Sequence, residues 1–436
     1  MVRKIGIIVL LASLLLCSGL VSCKNGGNNI VAAVLRSDRC TIDTAHTYEI
    51  YIPERVNLDQ QLPLLVILDP HGSGKSALSH FRLAADQYPA VLIASNLVKN
   101  NLAGYDEVIQ ELIDDVRTKY PIDKVVFISG FSGGARMAIG YAMNHHVNGL
   151  LLSGALAGPD ELRKVGCLVY SISGTDDFNF METAQYLFQE ASIPANLKIE
   201  LIGSSHNWPD SLTLADAFGF IRLACSDVEK ISETSLSDYG KLAAAKMDSL
   251  KKNGELLKAM LAARNMSTTA PFNTEKTFSD FYLSLKAAPE YTAQMALLMQ
   301  NLQLEMQVRQ PYLEELQTKN VDWWKNEQNK IENEIQSAPN AFIRDANRRI
   351  KAFWGIACYS FCRQASQGHN AAVLNQVLPI YRLLEPENPD MFYFSAFLPY
   401  WQGDQTSSVL LLKKALQKGF TDRTQLQKEF PDIKFN

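Results

Sequence analysis

The sequence predicts an α/β protein: a mostly parallel eight-stranded sheet with helices on both faces over residues 30–225, followed by an all-α region over residues 226–436. Three observations carry this reading. Short runs rich in Val, Ile and Leu alternate with helically periodic segments between residues 30 and 225, and continuous apolar runs fit strands covered on both faces. From about residue 226 strand signals disappear, and long stretches rich in Ala, Leu, Lys, Glu and Gln take over at helical spacing. Between residues 124 and 143 an apolar strand-like run breaks at glycines and restarts as a helix. With 436 residues, 47% of them hydrophobic, the chain can build more than one core. A formal net charge of −4, with no long run of Lys and Arg, argues against a general nucleic-acid binder.

Residues 1–23 read as a targeting segment rather than part of the fold. Arg3 and Lys4 form a basic start, Ile5 to Leu16 an apolar stretch shorter than a bilayer span, and Leu20-Val21-Ser22-Cys23 a small-residue cleavage region. That tetrapeptide resembles the bacterial lipobox, which implies cleavage before Cys23, diacylglycerol on its thiol and an acylated amino terminus. Two or more acyl chains give stable membrane attachment. Lys24 stands where inner-membrane lipoproteins of some Gram-negative bacteria carry Asp, which points to the outer membrane of the cell envelope. A plain secretory signal is the alternative. Residues 24–29, rich in Gly and Asn, read as a tether.

Strands are expected at Ile30–Leu35, Thr47–Ile52, Leu62–Leu68, Ala90–Ser95, Val125–Ser129, Gly149–Leu152, Leu168–Ser173 and Leu197–Ile202. Helices are expected at Leu78–Asp86, Tyr105–Tyr120, Ser132–His145, Phe180–Gln189 and Ser211–Ala224. In such sheets function gathers at the carboxyl ends of the strands. The turn Gly130-Phe131-Ser132-Gly133-Gly134 satisfies G-x-S-x-G between a strand and a helix. The glycines two before and two after the serine make room for a strained backbone that exposes its hydroxyl, so Ser132 is the expected nucleophile.

Three further loops bear on chemistry. Asp69-Pro70-His71-Gly72-Ser73-Gly74-Lys75-Ser76 ends like a phosphate-binding loop, but Asp69 stands where that motif needs glycine, and a carboxylate there repels phosphate. His-Gly followed by small residues instead suits a loop that brings a backbone N–H beside the nucleophile. Ser73 N–H and Gly133 N–H are the expected oxyanion donors, with His71 orienting the loop and not acting as base. Gly174-Thr175-Asp176-Asp177 and Ser204-Ser205-His206-Asn207-Trp208-Pro209 then follow the last two strands, so a serine, an acid and a histidine fall on strand ends in one order.

At these residues the chain resembles the α/β-hydrolase superfamily, and within it secreted esterases similar to polyhydroxybutyrate depolymerases and feruloyl esterases. The resemblance rests on His71-Gly72, the Gly130–Gly134 turn, Gly174-Thr175-x-Asp177 and His206-x-Trp208-Pro209, and covers residues 30–225. It implies a Ser132, Asp177, His206 triad, with Asp177 rather than Asp176 as the acid. Ser204 and Ser205 replace the glycines usual before the histidine, which bears on substrate class. Residues 155–166 are too short for the helical cap that many members carry, so the site is open unless the second region covers it. The chemistry implied is that of a carboxylic ester hydrolase acting through an acyl-enzyme, with no metal or nucleotide cofactor. A peptidase using the same residues, or a non-catalytic platform whose helices bind a protein partner, remains open.

In the helical region, helices are expected at Lys241–Arg264, Thr277–Ala287, Tyr291–Arg309, Ala341–Gln364 and Ala371–Leu384. The tail from Leu384-Glu385-Pro386 through Gly403-Asp404 to Leu411–Leu416 resembles a tetratricopeptide repeat, with a plain bundle as the alternative given Pro399. Trp323-Trp324 and Phe392-Tyr393-Phe394 read as inter-helix core before they read as a binding surface. Cys358 and Cys362, four apart on a helix, are too far apart for an unstrained bridge, and with His369 supply too few ligands for structural zinc.

Overall fold

The computed structural model describes residues 33–54, 61–188, 193–226 and 232–434. The signal segment, Cys23 and the tether, together with Ile30 and Gln189 at the ends of two expected elements, lie outside the described residues. Eight strands form one sheet: β1 (Val34–Arg39), β2 (Thr47–Ile52), β3 (Leu62–Leu68), β4 (Val91–Ser95), β5 (Ile122–Phe131), β6 (Gly149–Ser153), β7 (Leu168–Gly174) and β8 (Leu197–Ile202). Their order is β1-β2-β4-β3-β5-β6-β7-β8. The β1/β2 and β2/β4 pairs are antiparallel and the remaining pairs parallel.

Side-chain alternation divides β3 between two cores. Leu64, Val66 and Leu68 face one side and Leu65 and Ile67 the other, and all are fully buried, which is why the run reads as continuously apolar. Helices α1 (Gly74–Gln87) and α6 (Ser211–Ala224) cover the Leu65 face through Phe81, Ala84 and Phe218. Helices α2 (Tyr105–Lys119), α3 (Gly133–Asn144) and α5 (Phe180–Leu187) cover the other through Leu112, Ala138 and Ala184. A further short helix, α4 (Pro159–Leu162), starts on a proline whose missing N–H costs nothing at that position. This strand order, with crossover helices on both faces, is the α/β-hydrolase fold.

The first strand differs from expectation. Among the described residues it runs Val34–Arg39, past the expected end at Leu35, because Arg36, Ser37, Asp38 and Arg39 lie on an edge strand that needs no apolar run.

Beyond β8 all described elements are helical: α7 (Glu233–Lys252), α8 (Leu256–Ser267), α9 (Lys276–Lys286), α10 (Pro289–Thr318), α11 (Val321–Gln336), α12 (Ala341–Gln367), α13 (Ala371–Leu384), α14 (Pro389–Ser395), α15 (Phe397–Trp401), α16 (Gln405–Gln417) and α17 (Arg423–Glu429). Side chains of Ser232, Asn320, Asn340, Asn370, Asn388, Asp404 and Asp422 cap seven of them, accepting from first-turn N–H groups. The helix expected over 241–264 is two helices. Gly254, at φ +74°, turns the chain between α7 and α8 in a conformation that side chains avoid. The tail helix containing Pro399 is also split. α14 ends at Ser395, the residue whose carbonyl a proline four positions later crowds.

The change from strands to helices at residue 225 is not a break in packing. Asn265 on α8 accepts from Ile199 N–H (3.3 Å) and donates to Ile199 O (3.0 Å), closing the outer edge of β8. Leu256, Met260, Leu285 and Leu302 join the same core as the α2/α3 face of the sheet. A third core runs from Leu316 to Ile433, and Trp324, Phe392, Tyr393 and Phe394 are buried in it. One core therefore gives way to the next within α10. Cys40, Cys167, Cys225, Cys358 and Cys362 are all free thiols.

Candidate active site

β5 runs into α3 through Ser132, whose backbone sits at φ +53°, ψ −117°. This mirrors the first central residue of a type II turn and is a conformation glycine dominates. The flanking glycines explain how the turn closes. A Cβ on Gly130 would lie 2.3 Å from the carbonyl carbon of Gly134, and one on Gly134 would lie 2.1 Å from Leu68 O. Both would meet backbone, which cannot move aside. At Gly133 a Cβ would meet only the end of the Asn100 side chain, which can turn aside.

The turn aims Ser132 at the loop after β8. His206 Nε2 lies 2.9 Å from Ser132 Oγ, and His206 Nδ1 lies 2.9 Å from both Asp177 Oδ1 and Oδ2. Asp177 is 2% exposed, and its Oδ1 also accepts from Asn179 N–H at 2.8 Å, so the carboxylate is held by its own loop as well as by the histidine. The imidazole lies between two rings, with Phe178 at 4.3 Å and Phe131 at 4.7 Å between centroids. Gly174 brings the acid and histidine loops together, since a Cβ there would lie 2.2 Å from Ser204 O. The structure thus brings the three expected residues into one hydrogen-bonded chain.

Asp176 points elsewhere. It pairs with Arg348 at 3.5 Å, and burial beside Asp345 pushes its carboxyl above the usual range. Of the two adjacent aspartates, only Asp177 reaches the histidine.

The loop after β3 is organised by the residue that spoiled the phosphate-loop motif. Asp69 accepts from His71 N–H (2.8 Å), Ser73 N–H (3.3 Å) and Trp208 Nε1–H (3.2 Å). Burial works against its charge, yet these bonds and the nearby His71 outweigh it and hold the carboxyl below its usual range. His71 itself is 70% exposed, with Nδ1 3.6 Å from Asp69 Oδ1, and is not part of the Ser132 chain. Of the two expected oxyanion donors, Gly133 N–H lies in the first turn of α3, where the helix offers no acceptor. Ser73 N–H is directed at Asp69 by its longest bond. Sequence reasoning used Asp69 only to exclude phosphate and did not anticipate Phe178, Phe131 or Asn100; their signal lies in contacts, not in local pattern.

The helical region reaches both rims of this site. On the acid side Thr175 Oγ1 donates to Asp345 on α12 (2.7 Å), Arg349 on α12 donates to Thr175 O, and Arg309 on α10 donates to Phe178 O (3.0 Å). On the other side Lys99, in the loop after β4, pairs with Asp422 at 2.8 Å. Asp390, at the start of α14, interacts with His71, and burial raises its carboxyl to about 6. Ser132 is half-buried. Beside the acid and histidine loops lies a cavity of about 530 Å³ lined by Asp176, Ser205, Glu332, Arg348, Lys351 and Glu385 among others. Among the described residues no group of three or more His, Cys, Asp and Glu side chains could hold a metal ion.

No protein-family model and no curated protein sequence matches the chain. Solved structures similar to it include the substrate-bound fluorophosphonate-binding serine hydrolase F of Staphylococcus aureus, at 14% identity over 45% of this chain and 99% of that one, with a TM-score of 0.38. A feruloyl esterase module from Clostridium thermocellum complexed with sinapinate matches at 12% identity over 43% and 86% of the two chains, TM-score 0.36. An α/β serine hydrolase without a lid from Xanthomonas campestris matches at 17% identity over 43% and 93%, TM-score 0.33.

Proposed function

We propose that the chain is a serine hydrolase acting on carboxylic esters. The observation that carries the reading is the chain Ser132 Oγ, His206 Nε2 and Nδ1, Asp177, assembled on a serine held at positive φ. Ser132 Oγ attacks the ester carbonyl while His206 takes its proton. The bond to the alcohol then breaks as His206 returns that proton to the leaving alkoxide, and water repeats the cycle on the acyl-enzyme. Asp177 holds the imidazole and stabilises its charged form. Gly133 N–H faces the tetrahedral oxyanion, joined by Ser73 N–H once its 3.3 Å bond to Asp69 gives way to a stronger acceptor. The neutral ring faces around His206 suit a cation that forms transiently.

The Leu20–Cys23 sequence supports lipid attachment at Cys23 and a place on the cell envelope, with the mature chain tethered through residues 24–29 and the helical region available to a protein partner. The test is fluorophosphonate labelling of the mature protein, followed by a panel of esters and amides graded by acyl length. Wild type is expected to be labelled on Ser132 and to turn over short aryl esters, and Ser132→Ala to lose both while keeping its unfolding midpoint close to wild type. Labelling of the Ala variant at the wild-type rate would place the nucleophile elsewhere.

A further inference from the structure

Two backbone carbonyls bracket the paired aspartates, Thr175 O before them and Phe178 O after. Both accept from guanidinium groups carried by the helical region, Arg349 and Arg309, which lie 174 and 131 residues away in sequence. The two arginines are joined by Glu305, which is fully buried. Its Oε1 accepts from Arg309 at 2.6 Å, and its Oε2 accepts from Arg349 Nε at 2.9 Å and pairs with Nη2 at 2.8 Å. Arg349 also lies over the ring of Phe180, the first residue of α5, at 4.8 Å. A planar guanidinium fork fixes direction as well as distance, which a packed aliphatic side chain does not.

Burying two charges, Glu305 and Arg349, beside a partly exposed Arg309 is an expensive way to join a helix to a loop, since apolar residues of similar volume often hold such contacts as well or better. What the charged set adds is geometry. With residues 175 and 178 both anchored, the Asp177 side chain between them is turned to His206, and the Phe178 ring is set 4.3 Å from the imidazole. We infer that Glu305, Arg309 and Arg349 are positioning residues for the Asp177–His206 pair, so that α10 and α12 of the helical region are part of the active site rather than an appendage to it. The inference rests on the serine hydrolase reading above.

The test uses full-length variants and three readouts: kcat and KM on a short aryl ester, the rate of fluorophosphonate labelling, and the urea unfolding midpoint. Arg349→Met alone leaves a buried anion short of a partner and is expected to lose stability. Arg349→Met combined with Glu305→Gln removes that excess charge while leaving an acceptor for Arg309. For the double variant the expected result is cooperative unfolding, a kcat lower by roughly ten- to a hundredfold with labelling slowed in parallel, and little change in KM. Arg349→Lys keeps the charge but cannot serve Thr175 O and Glu305 together, and is expected to recover part of the lost kcat. A folded double variant or Arg349→Lys protein with wild-type kcat, or a loss expressed only in KM, would overturn the inference. A wild-type protein inert to fluorophosphonate would instead remove the hydrolase reading, and this inference with it.

Discussion

Ser132 offers a measurement in which the usual order of two small residues reverses. At φ +53°, ψ −117° a residue with a Cβ is strained by about 1–3 kcal/mol. Replacing it with glycine removes that strain but adds about 0.5–1 kcal/mol of backbone entropy in the unfolded chain. Ser132→Ala and Ser132→Gly both lose the hydrogen bond to His206, so that contribution cancels when the two variants are compared with each other. The remaining difference is strain minus entropy, about 1 kcal/mol in favour of glycine, where at an ordinary helix position glycine is worse than alanine by about that amount. Urea unfolding of the two inactive variants measures it directly. The Gly variant is expected to unfold at the higher midpoint with an unchanged m-value. An Ala variant more stable than the Gly variant by about 0.5–1 kcal/mol, the ordinary glycine penalty, would show that the turn holds no strain and that its glycines serve clearance alone.

Other outcomes follow from the same geometry. Asp177→Asn is expected to lower kcat by about four orders of magnitude, because the amide presents the wrong partner to His206 Nδ1, whereas Asp176→Asn keeps most of it; equal losses in steady-state assays would undo the distinction. Gly134→Ala forces a Cβ to within 2.1 Å of Leu68 O and should cost about 2 kcal/mol or more in denaturant unfolding, with labelling lost even at temperatures where the variant is folded. Asp390 has a folded pKa raised from 3.8 to about 6, so the folded state holds its proton more tightly; the favourable contribution is complete below pH 4 and is lost as pH rises through 6. Asp390→Asn should therefore be more stable than wild type at pH 7, by up to about 3 kcal/mol, and equal to it near pH 4; a variant less stable at pH 7 would refute the assignment.

The helical region cannot be removed without damage to the sheet. Deleting it would strip Leu256, Met260, Leu285 and Leu302 from a core they share with the sheet and would uncover the edge of β8 that Asn265 closes. A truncated chain would report on that damage before it reported on substrate preference, which is why point changes in α10 and α12 are the sharper probe.

What the sequence by itself determined is what depends on neighbours in the chain. The apolar runs of β2 to β8, the glycines at 130 and 134, and the order of the Ser132, Asp177 and His206 loops were legible because steric clearance, strand burial and turn chemistry are local demands with local signatures. The breaks that were missed, at Gly254 and before Pro399, are also local in cause, but each falls inside a pattern whose apolar spacing continues across it. The polar edge strand β1 escaped for the opposite reason, since an edge needs no apolar run. Only the tertiary structure decided that Asp69 organises the loop from which it seemed merely to exclude phosphate, and that α10, α12, α14 and α17 close on both rims of a site whose own loops are too short to cap it. Those outcomes depend on residues brought together across more than a hundred positions of chain, and a buried glutamate between two arginines looks, in one dimension, like three ordinary charges on solvated helices.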